Sequence, residues 1–168
     1  MTYSQYLHAM LYYFVENDSD YVINKIKPIL DDPLIVYYNF VQYNEKQRIC
    51  NVFDRLFELY VQEHNNEYLK CLWTLIHTIP LVAKANNPFV KYFYKSFIIN
   101  NVNCVHCILH YITTVSELKD NQWYDNAFIF ATMIDLHNEI NLSREKPAMT
   151  TEDASTLYNE KIKNLTFV

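Results

Sequence analysis

Cys104 and Cys107 stand three residues apart in Asn103-Cys104-Val105-His106-Cys107-Ile108-Leu109-His110-Tyr111. Such a pair has three readings: a redox disulfide, half of a metal site, or coincidence. The stretch reads as a helix start, which gives the pair a direction. A helix N-terminus favours negative charge, so it stabilises a thiolate on Cys104. One turn of helix then brings the second sulfur within disulfide reach. A zinc site would recruit His106 or His110, but it needs four ligands, and Cys50 and Cys71 follow no paired ligand spacing. In a reducing compartment a Cys-x-x-Cys is catalytic or metal-binding sooner than structural. Two other pairs flank it: Trp73 with His77, and His137 with Asn141. Each is spaced i,i+4, so each shares a helix face.

The elements that must position these residues read as helices throughout. Tyr3, Tyr6, Leu7, Met10, Leu11 and Phe14 recur at helical spacing. Asp18-Ser19-Asp20 caps a second helix predicted over residues 20–30, with Pro28 and Pro33 punctuating its end. Residues 34–41 are a dense apolar run, read as a short helix. Residues 45–64 form an amphipathic helix with Ile49, Val52, Phe53, Leu56, Leu59 and Tyr60 on one face, broken by Asn65-Asn66. The next spans 67–83, with Pro80 bending or ending it. Asn87-Pro88 opens another, faced by Phe89, Tyr92, Phe93 and Phe97 and ended by Asn100-Asn101. Asn103 caps the helix of the cysteine pair, predicted over 104–117. Asp120-Asn121-Gln122 is a loop, and 123–141 a long helix. Residues 142–150, with Pro147, connect to a last helix capped by Thr150 or Thr151 and reaching 162; Glu152 and Asp153 suit its first turn.

Composition narrows the chemistry. The 168 residues contain no glycine. Glycine-dependent phosphate loops and dinucleotide fingerprints are therefore excluded, and any nucleotide cofactor must be held by side chains and helix surfaces. Half the residues are hydrophobic, 16% are aromatic, and the net charge is −5 without a clustered Lys/Arg patch, which argues against nucleic acid as a partner. No apolar run reaches membrane-spanning length and no signal peptide is visible. Richness in Asn, Ile, Tyr and Lys is in keeping with AT-rich coding, as in some large DNA viruses.

Taken in order, these residues resemble the Erv/ALR family of FAD-linked sulfhydryl oxidases. Trp73-Thr74-Leu75-Ile76-His77 is similar to the family's Trp-x-x-x-His, and Cys104-Val105-His106-Cys107 falls where its redox disulfide stands. His137-Asn138-Glu139-Ile140-Asn141, followed by Lys146-Pro147, resembles its His-Asn-x-Val-Asn…Lys-Pro. Tyr158 occupies the place of a common terminal Trp. Cys107-Ile108-Leu109-His110-Tyr111 resembles the Cys-x-x-His-Tyr of the baculovirus- and nudivirus-type viral members. The resemblance covers residues 67–161. The chain departs from the family in having Asn103 where Pro is common, and in lacking the stapling cysteines of many cellular members.

The resemblance implies an all-α fold. Its oxidase core, residues 67–168 with about five helices, would follow an N-terminal helical extension over residues 1–66. It implies FAD held by Trp73, His77, His110, Tyr111, His137, Asn141, Lys146 and Tyr158. Catalysis would fall to Cys104, facing the substrate, and Cys107, facing the flavin. It implies thiol-containing protein substrates, O2 as acceptor, H2O2 as product, no metal, a homodimer, and an infected-cell cytoplasm, nucleus or virion setting. Cys71 would point away from the flavin. The competing readings are a non-enzymatic helical viral interaction protein, using the aromatic residues of 1–66 as a surface, and a small zinc module.

Overall fold

Asp32 shows how locally this fold is specified. Its Oδ1 accepts the amides of Leu34 and Ile35, and the carboxylate takes a two-pronged contact from Arg55 (3.1 and 2.7 Å). The side chain thus caps one helix and ties it to the next, with Pro33 at the first helical position. The computed structural model describes residues 1–28, 32–40, 44–64, 67–102 and 104–165, without the side chains of 19, 39 and 40. Every regular element among them is helical. They are α1 (Tyr3–Val15), α2 (Ser19–Ile26), α3 (Pro33–Phe40), α4 (Glu45–Glu63), α5 (Tyr68–Val82), α6 (Phe89–Tyr92), a π-helical stretch (Phe93–Phe97), α7 (Ile98–Asn101), α8 (Val105–Glu117), a 3₁₀ turn (Asp120–Tyr124), α9 (Asn126–Ser143) and α10 (Thr151–Lys163). None of these helices is long and apolar enough to cross a membrane.

Most expected helices are present, and the differences have local causes. α2 stops at Ile26, short of the predicted end; residues 29–30 lie outside the described residues, as do Val41, Asn65-Asn66 and the expected cap Asn103. Trp123 does not open the long helix. It is buried in the 3₁₀ turn, and Asp125 in extended conformation caps α9 through the Phe128 amide. Cys104 is itself the N-cap of α8 rather than its first residue. Thr150 caps α10, its hydroxyl accepting from the Asp153 amide.

α5 runs through Pro80 instead of ending there. A proline lacks the amide that would bond the carbonyl four residues back. Here that carbonyl is Ile76, and the Tyr94 hydroxyl donates to it at 2.6 Å. Tyr94 belongs to the π-helical stretch, where the Ile98 amide reaches five residues back to Phe93. The Tyr94 carbonyl in turn accepts from the Tyr111 hydroxyl of α8, also at 2.6 Å. Two tyrosines therefore link the cysteine helix to α5 through the one irregular helical stretch.

α5 is the central element, packed on α1, α9 and α10. Its inner face buries Cys71, Leu72, Leu75, Ile76 and Ile79. Against them lie Tyr6, Met10 and Phe14 of α1, Phe53 of α4, and Phe93 and Phe97, all fully buried in one continuous cluster. Phe53 touches Tyr13, Phe14 and Phe97 ring to ring. Such aromatic pairs add to the large apolar area the rings remove from water. The buried Asn87 closes this side: its amide donates to the Tyr13 carbonyl at 2.9 Å while its Oδ1 caps Phe89.

Candidate active site

Trp73 and His77 project from the other side of α5, where α9 crosses it. The Trp73 and His137 rings stack with centroids 4.0 Å apart and 7° between planes. His77 lies beneath, fully buried, with Nε2 2.9 Å from Nδ1 of His137 and its ring 4.9 Å from that of Tyr158. Among the described residues the other nitrogen of His77 has no hydrogen-bond partner. A proton there would be a buried donor with nothing to accept it, so the hydrogen-bond pattern assigns the proton to His77 Nε2, donated to His137. His137 then carries its own proton on Nε2.

Burial first, and the neighbouring His137 second, hold His77 well below the ordinary histidine value. Burial, then the charge of Lys146, lowers His137 to about 4. Both rings are neutral near pH 7. An apolar, uncharged aromatic wall is the result.

This wall borders a cleft of about 390 Å³, within the size range of small-molecule and cofactor sites. Trp73, His137, Asn141, Lys146 and Tyr158 line it, and Cys107 stands at its edge. Lys70, Arg144 and Lys161 add three more cations, and among the described residues no carboxylate lines it. In a chain of net charge −5 that is a local reversal of sign, suited to an anionic ligand. A second hollow of about 290 Å³ lies on the far side of His137, Asn141 and Tyr158, against Pro147 and Met149.

The chain reaches this position by a sharp helix end. At the end of α9 the Lys146 amide bonds the Asn141 carbonyl and the Glu145 amide bonds that of Leu142, a Schellman motif. It places Glu145 at φ 58°, where glycine is usual and this chain has none. Asn138 then holds the returning strand, exchanging hydrogen bonds with both backbone groups of Met149. Lys146 is thereby returned to the cleft.

The two sulfurs are 2.6 Å apart, and the cysteines are unbonded. They differ in surroundings. Cys104 is partly exposed at the N-cap, its sulfur accepting from the Cys107 amide at 3.4 Å and from the Arg144 guanidinium at 3.1 Å. Burial works against its ionisation, but the hydrogen bonds from Cys107 and Arg144 prevail and set its thiol below the ordinary value. Burial, reinforced by the Cys104 sulfur, pushes Cys107 up to about 11. The pair is unequal: the Cys104 thiol ionises more readily than that of Cys107.

The remaining sequence candidates fall elsewhere. Tyr111 is buried beside Cys107 and Trp73 under the cleft, lining a small apolar void. His110 does not line the cleft; it lies on the outer side of α8 with Nδ1 3.4 Å from Glu139. Cys71 is fully buried and its thiol is pushed up to about 12 by burial. Cys50 pairs with Tyr92. Among the described residues no three His, Cys, Asp or Glu side chains gather closely enough to hold a metal ion. Arg144, which sequence reasoning passed over, sits seven residues beyond His137, two turns along the same face of α9.

Comparison of the chain with protein-family models, with curated proteins and with solved structures finds no match.

Proposed function

We propose that this chain is an FAD-dependent thiol oxidase of the Erv/ALR type, forming disulfides in thiol-containing proteins and passing the electrons to O2 as H2O2. One observation supports it most. Cys107 sits at the edge of a cation-lined cleft whose walls are Trp73, His137, Asn141, Lys146 and Tyr158, residues distant in sequence. These residues fit the cofactor. Trp73 and Tyr158 offer ring faces, and Lys70, Lys146 and Lys161 offer charge to a diphosphate. Neutral His137 offers an N–H donor, without a glycine loop. FAD, when bound, would supply a two-electron acceptor that O2 regenerates.

The chain's own residues carry the thiol chemistry. In the oxidised state a substrate thiolate attacks the exposed Cys104 sulfur. A substrate–Cys104 disulfide forms, the Cys104–Cys107 bond breaks, and Cys107 keeps the electron pair. A second substrate thiolate attacks the substrate sulfur of that bond, releasing the substrate disulfide and leaving Cys104 and Cys107 reduced by two electrons. While Cys104 is tied to substrate its sulfur carries no charge. Burial still holds the Cys107 thiol up, but the push from Cys104 is then absent and the opposing charge of Arg144 remains, so its thiolate is less disfavoured at the step that creates it. Tyr111 and the Tyr94 carbonyl hold Cys107's helix against α5.

The purified protein should be yellow, absorb in the blue, and consume O2 with a dithiol substrate. Cys107→Ser should abolish turnover with an unchanged far-ultraviolet circular dichroism spectrum. A folded protein that stays colourless when supplied with FAD, and is indifferent to Cys104→Ser in whatever it does, overturns the oxidase and returns the non-enzymatic interaction protein.

A further inference from the structure

We infer that Arg144 is a positioning residue for the cysteine pair: its guanidinium selects Cys104 as the sulfur that carries charge, and so makes the Cys104–Cys107 disulfide easier to reduce. The inference rests on the redox reading of the pair, and not on flavin binding.

The geometry is specific. Arg144 is the C-cap of α9, and its Nη2 lies 3.1 Å from the Cys104 sulfur. The Schellman turn fixes where the arginine leaves the helix, with Glu145 in the left-handed conformation. One residue earlier, Ser143 pairs with His106 at 2.8 Å, so the end of α9 is fastened to the first turn of α8 at two consecutive positions. The charged and titratable groups acting on Cys104 are Cys107 from its own helix and Arg144 from α9. Among the described residues no carboxylate lines the cleft to compete for the guanidinium there.

Chemically, reducing the disulfide breaks the S–S bond and places the electron pair of two substrate thiols on the two cysteines, with one proton on Cys107 and the other released to water. Whatever stabilises the reduced form makes the disulfide a stronger oxidant. A cation against Cys104 does this by holding one of the two product sulfurs as thiolate. The same cation faces the approaching substrate thiolate.

The test uses the full chain with Arg144→Gln and Arg144→Lys. Alkylation of Cys104 by iodoacetamide is followed by peptide mass spectrometry across pH, and the dithiol–disulfide equilibrium is measured in glutathione buffers. With Arg144→Gln the alkylation midpoint should rise and the equilibrium should move toward disulfide, each by about two- to fivefold, the range for an exposed ion pair. Arg144→Lys, which keeps the charge, should move both less. On the unaltered chain, added salt should raise the same midpoint by screening the pair. A Cys104 midpoint indifferent to both the Gln substitution and salt overturns the inference. Because neither readout needs flavin, a colourless protein would defeat the oxidase proposal without deciding this one.

Discussion

The two faces of α5 use similar residues to opposite ends. Toward α1, α4 and the π-helical stretch the helix is sealed: Cys71, Leu72, Leu75, Ile76 and Ile79 are buried under rings. Toward α9 and α10 it is left open, with Trp73 half-buried and cations gathered around it. The cysteines register the difference. Burial pushes the Cys71 thiol up to about 12, beside Tyr60, while Cys104 falls below its ordinary value at a helix start beside Arg144. The same side chain is held as a thiol in one place and ionises more readily in the other. Environment, not residue type, decides.

The contrast is sharpened first by removing a ring from the sealed face. Phe53→Ala should cost about 3–5 kcal/mol in urea unfolding, the usual range for truncating a buried aromatic. Trp73→Ala, on the open face, should cost less stability, and under the oxidase proposal it should also remove FAD binding, read as loss of blue absorbance. A smaller effect comes from acid. His137 titrates at about 4 when folded and near 6.5 when unfolded. Between those values the unfolded chain binds a proton that the folded chain refuses. The stability contribution is therefore complete above pH ~6.5 and falls by about 3 kcal/mol as pH drops to 4. His77 acts in the same direction. Urea midpoints at pH 7 and 4.5 should diverge for the unaltered chain and diverge less for His137→Gln, where His77 alone remains, whereas Phe53→Ala should shift both alike.

The smallest of these effects concerns the link between the faces. Tyr94→Phe should cost about 1–3 kcal/mol, because it strands the buried Ile76 carbonyl. In a Pro80→Ala background that carbonyl regains a helical amide, so the cost of Tyr94→Phe should shrink. A double-mutant cycle by urea unfolding measures the coupling; additive effects would contradict the role given to Tyr94.

Much of this fold is written locally. The apolar period gives α1 and α4, and Asp18 and Thr150 announce their helices, because caps and faces depend only on near neighbours. What is not local was not legible. Pro80 reads as a bend or an end inside a helix over 67–83, and the hydroxyl that answers its missing amide comes from a tyrosine fourteen residues later in the chain. Trp123 reads as helix, yet the Asp125 cap starts α9 after it. At the site, i,i+4 spacing pairs Trp73 with His77, but their meeting with His137 needs the crossing of α5 and α9. His110 shares a helix with Cys107 and still turns to Glu139. Arg144 had a visible signal in its distance from His137, and its contact with Cys104 depends on the turn after α9.

The π-helical stretch has a consequence in terms of chain length. An α-helix advances about 100° per residue, and a π turn is one residue longer than an α turn. Phe93–Phe97 therefore holds one surplus residue between α5 and the cysteine helix. Losing a single codon there would restore regular helix and leave the faces that follow where they are, but it would give the Tyr94 carbonyl a helical amide. As it stands the Ile98 amide bonds Phe93 and leaves the Tyr94 carbonyl open to the Tyr111 hydroxyl; in a regular helix that acceptor would be taken and the tie to the cysteine helix lost. Most surface loops tolerate a one-residue deletion; this helix, buried and unbroken in appearance, is counted to the residue.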